Sequence, residues 1–154
     1  MIPVSAIKST EGKHLRIGSS EYIIKLGHKE TSGHITVIRA TIPPNTKVSP
    51  PCEHFTCDEL IYVVHGSIIV YTRGMYDESQ SDFTGHSLYN GDLIFIPMGT
   101  VEHFETGPDT TEILCLFTPS GQAEKFFTIL SQRELESMNT IADDSMFRVL
   151  HTRM

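Results

Sequence analysis

The chain has 154 residues, a formal net charge of −7 and 39% hydrophobic residues, which fits a single domain large enough to bury a core. The acidic balance argues against a nucleic-acid partner, because nucleic-acid binding requires a basic surface. The sequence has no apolar run of membrane-spanning length and no charged-then-apolar signal pattern, so we expect a cytoplasmic protein without a membrane partner. The three cysteines indicate free thiols rather than a disulfide framework.

Short segments rich in β-branched and aromatic residues follow one another along the chain, separated by Gly, Pro and Asn. This pattern is typical of many short antiparallel strands packed as a sandwich or barrel. In chain order the predicted strands are 21–26, 35–42, 60–65, 67–73, 93–97, 103–106 and 112–117. Gly66 separates the third strand from the fourth, and we expect it to supply the positive backbone angle of a tight turn.

Residues 73–91 carry Gly, Ser, Asp and Tyr without a strong period, which predicts a long loop. Such a loop is either a lid over a pocket mouth or simply a mobile connection. The apolar bulk that would allow it to cover a pocket comes from Met75, Tyr76, Phe83 and Tyr89.

After the last predicted strand, apolar residues recur at helical spacing, which predicts one helix at about residues 121–137. The stripe is formed by Ala123, Phe126, Phe127, Leu130 and Leu135. We expect this stripe to pack on an outer face of the barrel. Further along, an apolar patch within residues 139–154 is either a final strand or a subunit contact. It contains Met146, Phe147, Val149 and Leu150.

Two segments place ionisable side chains next to apolar strands. In the first, Cys52, His54 and Glu59 lead into the apolar run that ends at Gly66. Polar groups in such a place lower stability unless they pair, bind a metal or take part in chemistry. The second segment, residues 91–104, repeats the order of features: a glycine turn, an apolar strand, a Pro-x-Gly turn and then ionisable residues.

Together the two segments resemble the paired motifs of the cupin superfamily. The first family motif reads H-x-H, three or four residues, E, six residues, G; the second reads G, five residues, P-x-G, two residues, H. The matching residues are His54, Glu59, Gly66, Gly91, Pro97 and Gly99. Two metal-ligand positions differ from the family pattern. Cys52 replaces the first histidine, and Glu102 stands where the second motif has its histidine, with His103 one position later.

The resemblance implies an all-β fold, the double-stranded β-helix or jelly-roll barrel of the cupins, followed by a C-terminal α-helix. One domain would cover residues 1–154, with the barrel core at about residues 34–119. Residues 114–121, followed by Phe126-Phe127, are similar to the way in which quercetin-dioxygenase-like cupins leave the barrel. By the same resemblance we expect a homodimer formed through the outer sheet, where Tyr62 is placed.

A barrel directs alternate strand residues toward its interior. By this alternation Cys52 and His54 share a face if they lie on one strand, and Glu59 lies on the inner face of the next. The same rule turns Glu102 inward and His103 outward. A bulge at the start of that strand would reverse the order and bring His103 inward instead.

Two ligand sets follow for a metal. With His103 inward, the ligands would be Cys52, His54, Glu59 and His103, which zinc or ferrous iron could tolerate. With Glu102 inward, its carboxylate replaces the imidazole of His103, and the ligands would be Cys52, His54, Glu59 and Glu102. The expected cofactor is therefore a divalent ion of iron, zinc, nickel or copper, or none. Without a metal, burial of a thiol beside two carboxylates raises the pKa of at least one carboxyl group, which suits general acid–base catalysis at neutral pH.

We predict a small-molecule enzyme whose catalytic residues are His54, Glu59, Glu102 and Cys52. The walls that bind a flat, cyclic, aromatic or polyketide-like substrate are expected to be Ile61, Val63, Phe95 and Phe104. The altered ligand positions favour the acid–base chemistry of an isomerase, dehydratase or cyclase. The alternatives are a quercetinase-like metal-dependent dioxygenase, which the resemblance implies, and a non-catalytic binding protein, because a fold alone does not establish activity.

Overall fold

The computed structural model describes residues 1–48, 51–74, 82–132 and 147–149. Residues 147–149 are described by their backbone alone. The strands are β1 (Lys13–Ile17), β2 (Ser20–Leu26), β3 (Thr36–Ile42), β4 (Cys52–His54), β5 (Asp58–His65), β6 (Ser67–Gly74), β7 (Thr84–Tyr89), β8 (Leu93–Ile96), β9 (Thr100–Thr106), β10 (Thr111–Thr118) and β11 (Phe147–Val149). A helix, α1, covers Ala123–Gln132.

The strands pair in antiparallel fashion and form two sheets. The first sheet has the order β1-β2-β3-β10-β5-β8, and the second has the order β11-β4-β9-β6-β7. Successive strands such as β4 and β5, or β7 and β8, lie in different sheets, so the chain crosses repeatedly between the two. This is the jelly-roll arrangement that the strand pattern and the two motifs predicted.

Alternation along the strands builds the core between the two sheets. In β10 the alternate residues Ile113, Cys115 and Phe117 are buried, and their neighbours are only half-buried. Ile61 of the first sheet and Val70 of the second belong to the same buried cluster. Full burial of an apolar side chain of this size contributes roughly 1.5–3 kcal/mol, so this cluster is the main source of the fold's stability.

The strand registers bring the ionisable residues toward one another. In the second sheet, Cys52 of β4 pairs with Glu102 of β9. In the first sheet, Glu59 of β5 pairs with Phe117 of β10. These residues are buried on the inner faces of their sheets, so the two pairs meet inside the barrel, next to His54.

The turn between β5 and β6 requires glycine, as the sequence predicts. Gly66 has a φ of +90°, a conformation that L side chains rarely adopt. A Cβ at this position would also lie 2.5 Å from the Thr111 Oγ1 atom. Both the backbone angle and the close approach of the neighbouring strand therefore exclude a larger residue.

All seven predicted strands are present. β4 had been considered only as a condition, if Cys52 and His54 lie on one strand, and β1 and β7 were not predicted. β1 (KHLRI) and β7 (TGHSLY) contain polar or charged residues and glycine and lack a clear β pattern. β7 falls in the segment predicted to be a loop or lid, and that prediction is wrong for Thr84–Tyr89, which pairs with β6. Met75 and Tyr76, the other residues of the predicted lid, lie outside the described residues.

The carboxyl-terminal elements agree in part with the predictions. α1 lies within the predicted helix, and residues 133–137, including Leu135, are outside the described part of the chain. β11 pairs with β4, which confirms the final strand; Met146 and Leu150 are not among the described residues. No helix in the described ranges is both long and apolar enough to cross a membrane.

Candidate active site

His54 occupies the centre of a buried ionisable cluster. Its Nε2 atom lies 3.0 Å from Glu59 Oε2 and 3.5 Å from Glu102 Oε1. The three side chains are each only 5% exposed. One imidazole between two carboxylates in a water-poor interior places an acid and a base within reach of each other, which is the arrangement that proton transfer requires.

Cys52 completes the cluster on the side of Glu102. Its Sγ atom donates a hydrogen bond to Glu102 Oε1 over 3.2 Å. The Cys52 thiol is buried and uncrosslinked. The predicted convergence of Cys52, His54, Glu59 and Glu102 is therefore present in the structure.

Strand alternation decides which of two neighbouring ionisable residues enters the barrel. The pairing of β6 with β9 runs without a register shift from Thr106 back to Thr100, so no bulge reverses the order. Glu102 and Phe104 are buried on the inner face. His103 lies on the outer face, where its ring stacks on Tyr71 at 4.9 Å and meets Phe83 edge-on at 4.7 Å.

The ligand set that included His103 is therefore wrong. The imidazole of His103 is on the opposite side of β9 from His54, and its aromatic neighbours hold it there. Phe83, which the sequence placed in a lid over the pocket mouth, packs against this outer histidine instead. Burial lowers the pKa of His103, which leaves its ring neutral at physiological pH.

Burial and mutual contact change the pKa values inside the cluster. Burial alone would lower the pKa of His54, but its interactions with Glu102 and Glu59 outweigh that effect and raise the pKa to about 9. Burial raises the pKa of Glu59, and the neighbouring His54 opposes that rise. His54 is therefore positively charged at neutral pH, and Glu59 holds a proton more readily than an ordinary glutamate.

The cluster opens into a narrow cavity with a volume of about 40 Å³, which is room for roughly two to four water molecules. Its lining residues are Ile17, Tyr22, Val48, Cys52, His54, Glu59, Glu102, Phe104, Cys115, Phe126, Phe127 and Leu130. Ile17, Val48 and Phe127 are half-buried whereas most of the others are buried, which places the mouth near these three.

The helix has a different place from the predicted one. Its apolar side chains Phe126, Phe127 and Leu130 line the cavity instead of covering an outer face of the barrel. The reason is the path of the chain after β10, which brings α1 next to β1. Aromatic contacts from Phe127 to Tyr22 and Phe117, at 5.6 and 5.8 Å, hold the helix in this position.

The predicted substrate-binding walls are only partly correct. Phe104 lines the cavity. Ile61 and Val63 face inward and are fully buried, but they pack in the core and not against the cavity. Phe95 is 55% exposed, because Glu59 pairs with Ile96 and the alternation of β8 then turns Phe95 outward.

Some lining residues come from strands that carry no cupin motif, among them Tyr22 and Cys115. Tyr22 of β2 is 3% exposed, and its ring faces the helix. Cys115 of β10 is buried, lines the cavity and interacts with Glu59. Burial raises the pKa of the Cys115 thiol, and the charge of Glu59 raises it further. Period-two alternation in β2 and β10 is the one sequence signal that places both residues inward.

Three residues of the cluster also fit a metal ion. Ligand atoms of Cys52, His54 and Glu102 all lie within 4.8 Å of one another. Zinc ligands lie about 2.0–2.3 Å from the ion, so these side chains would have to draw together slightly around it. Thiolate, imidazole and carboxylate together suit zinc and other first-row transition metals. Glu59 contacts His54 but does not belong to the converging three.

Comparison with known proteins gives the fold of this chain. No protein-family model and no curated protein match its sequence. Its structure is similar to KdgF from Halomonas sp., with a TM-score of 0.61, 17% identity and coverage of 75% of this chain and 94% of that one. A predicted oxalate decarboxylase from Thermotoga maritima has a TM-score of 0.63, 19% identity and coverage of 75% and 99%. Pac13 from Streptomyces, a nucleoside dehydratase, has a TM-score of 0.58, 15% identity and coverage of 76% and 83%.

These likenesses and the two-sheet topology confirm the cupin fold. The protein is a cupin barrel with a C-terminal helix and a buried Cys-His-Glu-Glu cluster. Nothing in the comparisons supports the narrower resemblance to quercetin-dioxygenase-like cupins. At these identities the solved structures establish the fold, and the chemistry must be argued from the side chains.

Proposed function

We propose that this protein is a small-molecule enzyme that isomerises, dehydrates or cyclises a cyclic, aromatic or polyketide-like substrate by acid–base chemistry. The observation that carries the proposal is the position of His54 Nε2, within 3.5 Å of carboxylate oxygens of both Glu59 and Glu102. Groups placed in this way supply and accept protons in the same step. Two of the neighbours named above, the oxalate decarboxylase and the dehydratase, carry names of small-molecule enzymes.

The three residues divide the acid and base roles. In a dehydration, a carboxylate of Glu59 or Glu102 takes the proton of a C–H bond next to a carbonyl, and the electron pair of that bond forms the new double bond. His54 gives its proton to the departing hydroxyl, which leaves as water. The carboxyl group that took the proton then returns it to the imidazole through its own contact with His54 Nε2, and the site is ready for the next substrate.

The surroundings support such proton transfers. Phe104, Phe126 and Leu130 close the cavity with apolar surface, which excludes water and strengthens electrostatic interactions. Phe117 meets the His54 ring edge-on at 5.4 Å and fixes its orientation. The Cys52 thiol, held on Glu102, lies beside the position where a substrate would react.

The size of the cavity requires movement for a ring substrate. An apolar cavity of about 150 Å³ is large enough for benzene, whereas this one measures about 40 Å³. The helix side chains at its mouth, above all the half-buried Phe127, must therefore swing outward before a ring can enter.

The proposal can be tested without knowing the natural substrate. Cyclohexanone in D₂O reports the exchange of α-protons, and 3-hydroxycyclohexanone reports loss of water, both by NMR. We expect the wild-type protein to accelerate these reactions. His54→Gln and Glu59→Gln should lower the rates by about 10²- to 10⁴-fold. His103→Gln is the matched control, because this histidine lies on the outer face, and it should retain the wild-type rate. Full activity in His54→Gln would reject the proposal.

A metal-dependent dioxygenase is the second candidate, and the convergence of Cys52, His54 and Glu102 favours it. These three residues would hold the ion. When bound, the ion would polarise oxygen atoms of an enolic substrate and support reaction with O₂. Metal analysis of protein purified without chelators separates the candidates: stoichiometric iron, copper, nickel or zinc, with oxygen consumed in the presence of substrate, would favour the dioxygenase. Ligand binding without any turnover would identify a non-catalytic binding protein.

We also propose that the protein forms a homodimer through the outer face of the first sheet. Strands β5 and β8 expose apolar side chains there. They are Tyr62, Val64, Leu93 and Phe95, which are 39–55% exposed. In the register of these strands Tyr62 lies opposite Leu93, so the exposed side chains form one continuous patch at the edge of the sheet. Apolar surface of this kind is typical of a protein–protein contact.

A further inference from the structure

One polar group in the cavity has no role in the chemistry described above. Tyr22 is 3% exposed and lines the cavity. Within the described part of the chain no hydrogen bond joins its hydroxyl to another residue, and this oxygen is not among the fully enclosed polar atoms that lack a partner. Because a hydrogen-bond partner stabilises a tyrosine hydroxyl in an apolar site, a molecule bound in the cavity can supply one.

The position of Tyr22 is fixed by packing. In the register of β2 and β3 it lies next to Ala40, whose small side chain leaves room for the phenol above the sheet. Its ring contacts Phe127 at 5.6 Å. Burial raises the pKa of Tyr22, and the nearby Cys115 and Glu59 raise it further. The phenol therefore stays protonated and serves as a hydrogen-bond donor.

The charges around the cavity restrict what can bind. The ionisable lining residues include the carboxylates of Glu59 and Glu102 and the imidazole of His54, and there is no lysine or arginine among the described lining residues. An anionic ligand would meet two carboxylates and one cation that those carboxylates already neutralise. Burying an additional negative charge without a partner is strongly unfavourable.

We propose that Tyr22 is the substrate-orienting hydrogen-bond donor of this cavity, and that the cavity selects an uncharged, mostly apolar ring compound with a carbonyl or hydroxyl oxygen. The phenol holds that oxygen while aromatic side chains enclose the ring. This inference rests on the proposed function of the same site and adds the class of its substrate. It sets this protein apart from cupins that act on small carboxylate anions.

Three probes of similar shape test the inference: cyclohexanone, methylenecyclohexane and cyclohexanecarboxylate. The first has the acceptor oxygen, the second lacks it, and the third carries a negative charge. Binding to the wild-type protein and to Tyr22→Phe is measured by ligand-observed NMR titration. Tyr71→Phe is the matched control, because it removes a hydroxyl that is bonded to Glu105 on the outer face.

Tyr22→Phe should weaken cyclohexanone binding by about 3- to 10-fold, the usual effect of losing one hydrogen bond, and leave methylenecyclohexane binding unchanged. Unchanged binding of methylenecyclohexane would show that the cavity of the variant is intact. Tyr71→Phe should behave as wild type, and cyclohexanecarboxylate should bind the wild-type protein at least about tenfold more weakly than cyclohexanone. Equal cyclohexanone affinity in Tyr22→Phe, tighter binding of the carboxylate, or no binding of cyclohexanone to the wild-type protein would each overturn the inference.

These outcomes are distinct from those of the proposed function. Probe binding does not require proton transfer. If probe binding is independent of Tyr22 while His54-dependent exchange is observed, only the role of Tyr22 is rejected. If binding depends on Tyr22 but no exchange occurs in any variant, the acid–base function is rejected and the binding site stands.

Discussion

The Nε2 atom of His54 lies 3.0 Å from Oε2 of Glu59, and these residues belong to different sheets of the barrel. The contact therefore joins the two walls inside the barrel, where both side chains are only 5% exposed. A buried ion pair adds little net stability, because loss of hydration offsets the attraction, but removal of one partner leaves an uncompensated charge. The pair is therefore a weak support for the fold, which is consistent with the acid–base role proposed for it.

The free energy of unfolding is expected to fall as the pH rises from about 6.5 to about 9. The pKa of His54 is raised from 6.5 to about 9 in the folded protein, so the folded state holds this proton more tightly than the unfolded chain. The resulting stabilisation is complete below pH 6.5 and is lost as the pH rises through 9. The raised pKa of Glu59 acts in the same direction. The His54 shift corresponds to about 3 kcal/mol, which urea unfolding at the two ends of this range would measure.

Two histidine variants identify the source of this pH dependence. His54→Gln should flatten the profile between these pH values. His103→Gln should keep the wild-type slope, because the pKa of His103 is lowered and its titration falls below this range. An unchanged slope in His54→Gln would assign the effect to other groups.

Phe127→Ala should widen the mouth of the cavity and lower stability. The ring contacts Tyr22 and Phe117, and because it is half-buried we expect a loss of about 2 kcal/mol, less than for a fully buried phenylalanine. Ring-shaped probes should associate faster with the variant, as measured by stopped-flow binding. Ile129→Ala on the same helix is the control, since this side chain does not line the cavity. Equal association rates in the two variants would show that Phe127 does not limit entry.

The three thiols should react slowly with a disulfide reagent in the native protein and quickly in urea. All three cysteines are buried. Burial and the charge of Glu59 raise the pKa of Cys57 to about 12, and burial raises that of Cys115, so little reactive thiolate is present. Spectrophotometric counting of released thiolate over time checks this. Rapid modification of Cys52 alone would instead indicate an activated nucleophile.

Phe95→Glu should convert the proposed homodimer into a monomer. The substitution places a charge within the exposed patch of Tyr62, Val64, Leu93 and Phe95, where burial against a second copy would be unfavourable. Sedimentation velocity reports the mass of each variant. Tyr89→Glu serves as the control, because Tyr89 is 63% exposed on a strand of the other sheet. A monomeric wild-type protein would reject the dimer.

The cupin fold and four residues of the site could be predicted from sequence, because motif spacing and strand alternation are local properties. The alternation also indicated that Glu102, and not His103, enters the barrel. Phe95 was placed wrongly for a physical reason: β8 consists of four apolar residues in a row, and a run without alternation does not show which face is buried. Its register with Glu59 on β5 provides that information, and register is a tertiary property.

The roles of Tyr22 and of α1 also depend on tertiary structure. Tyr22 lies about thirty residues before the first motif residue and reaches the cavity only because β2 pairs with β3 and the barrel closes. The apolar stripe of α1 indicated burial correctly but could not indicate its partner. The direction that the chain takes after β10 decides whether this stripe meets an outer face of the barrel or lines the cavity.

The opposite orientations of Glu102 and His103 have a consequence for how substitutions can alter the interior of the barrel. A carboxylate and an imidazole occupy adjacent positions on one strand. Glu102 faces the cavity, and His103 lies on the outer face against Tyr71 and Phe83. Exchanging the two residues, Glu102→His with His103→Glu, would deliver a second imidazole to the interior and remove one acid. These two substitutions at adjacent positions would therefore change the set of ligand atoms inside the barrel without changing the fold.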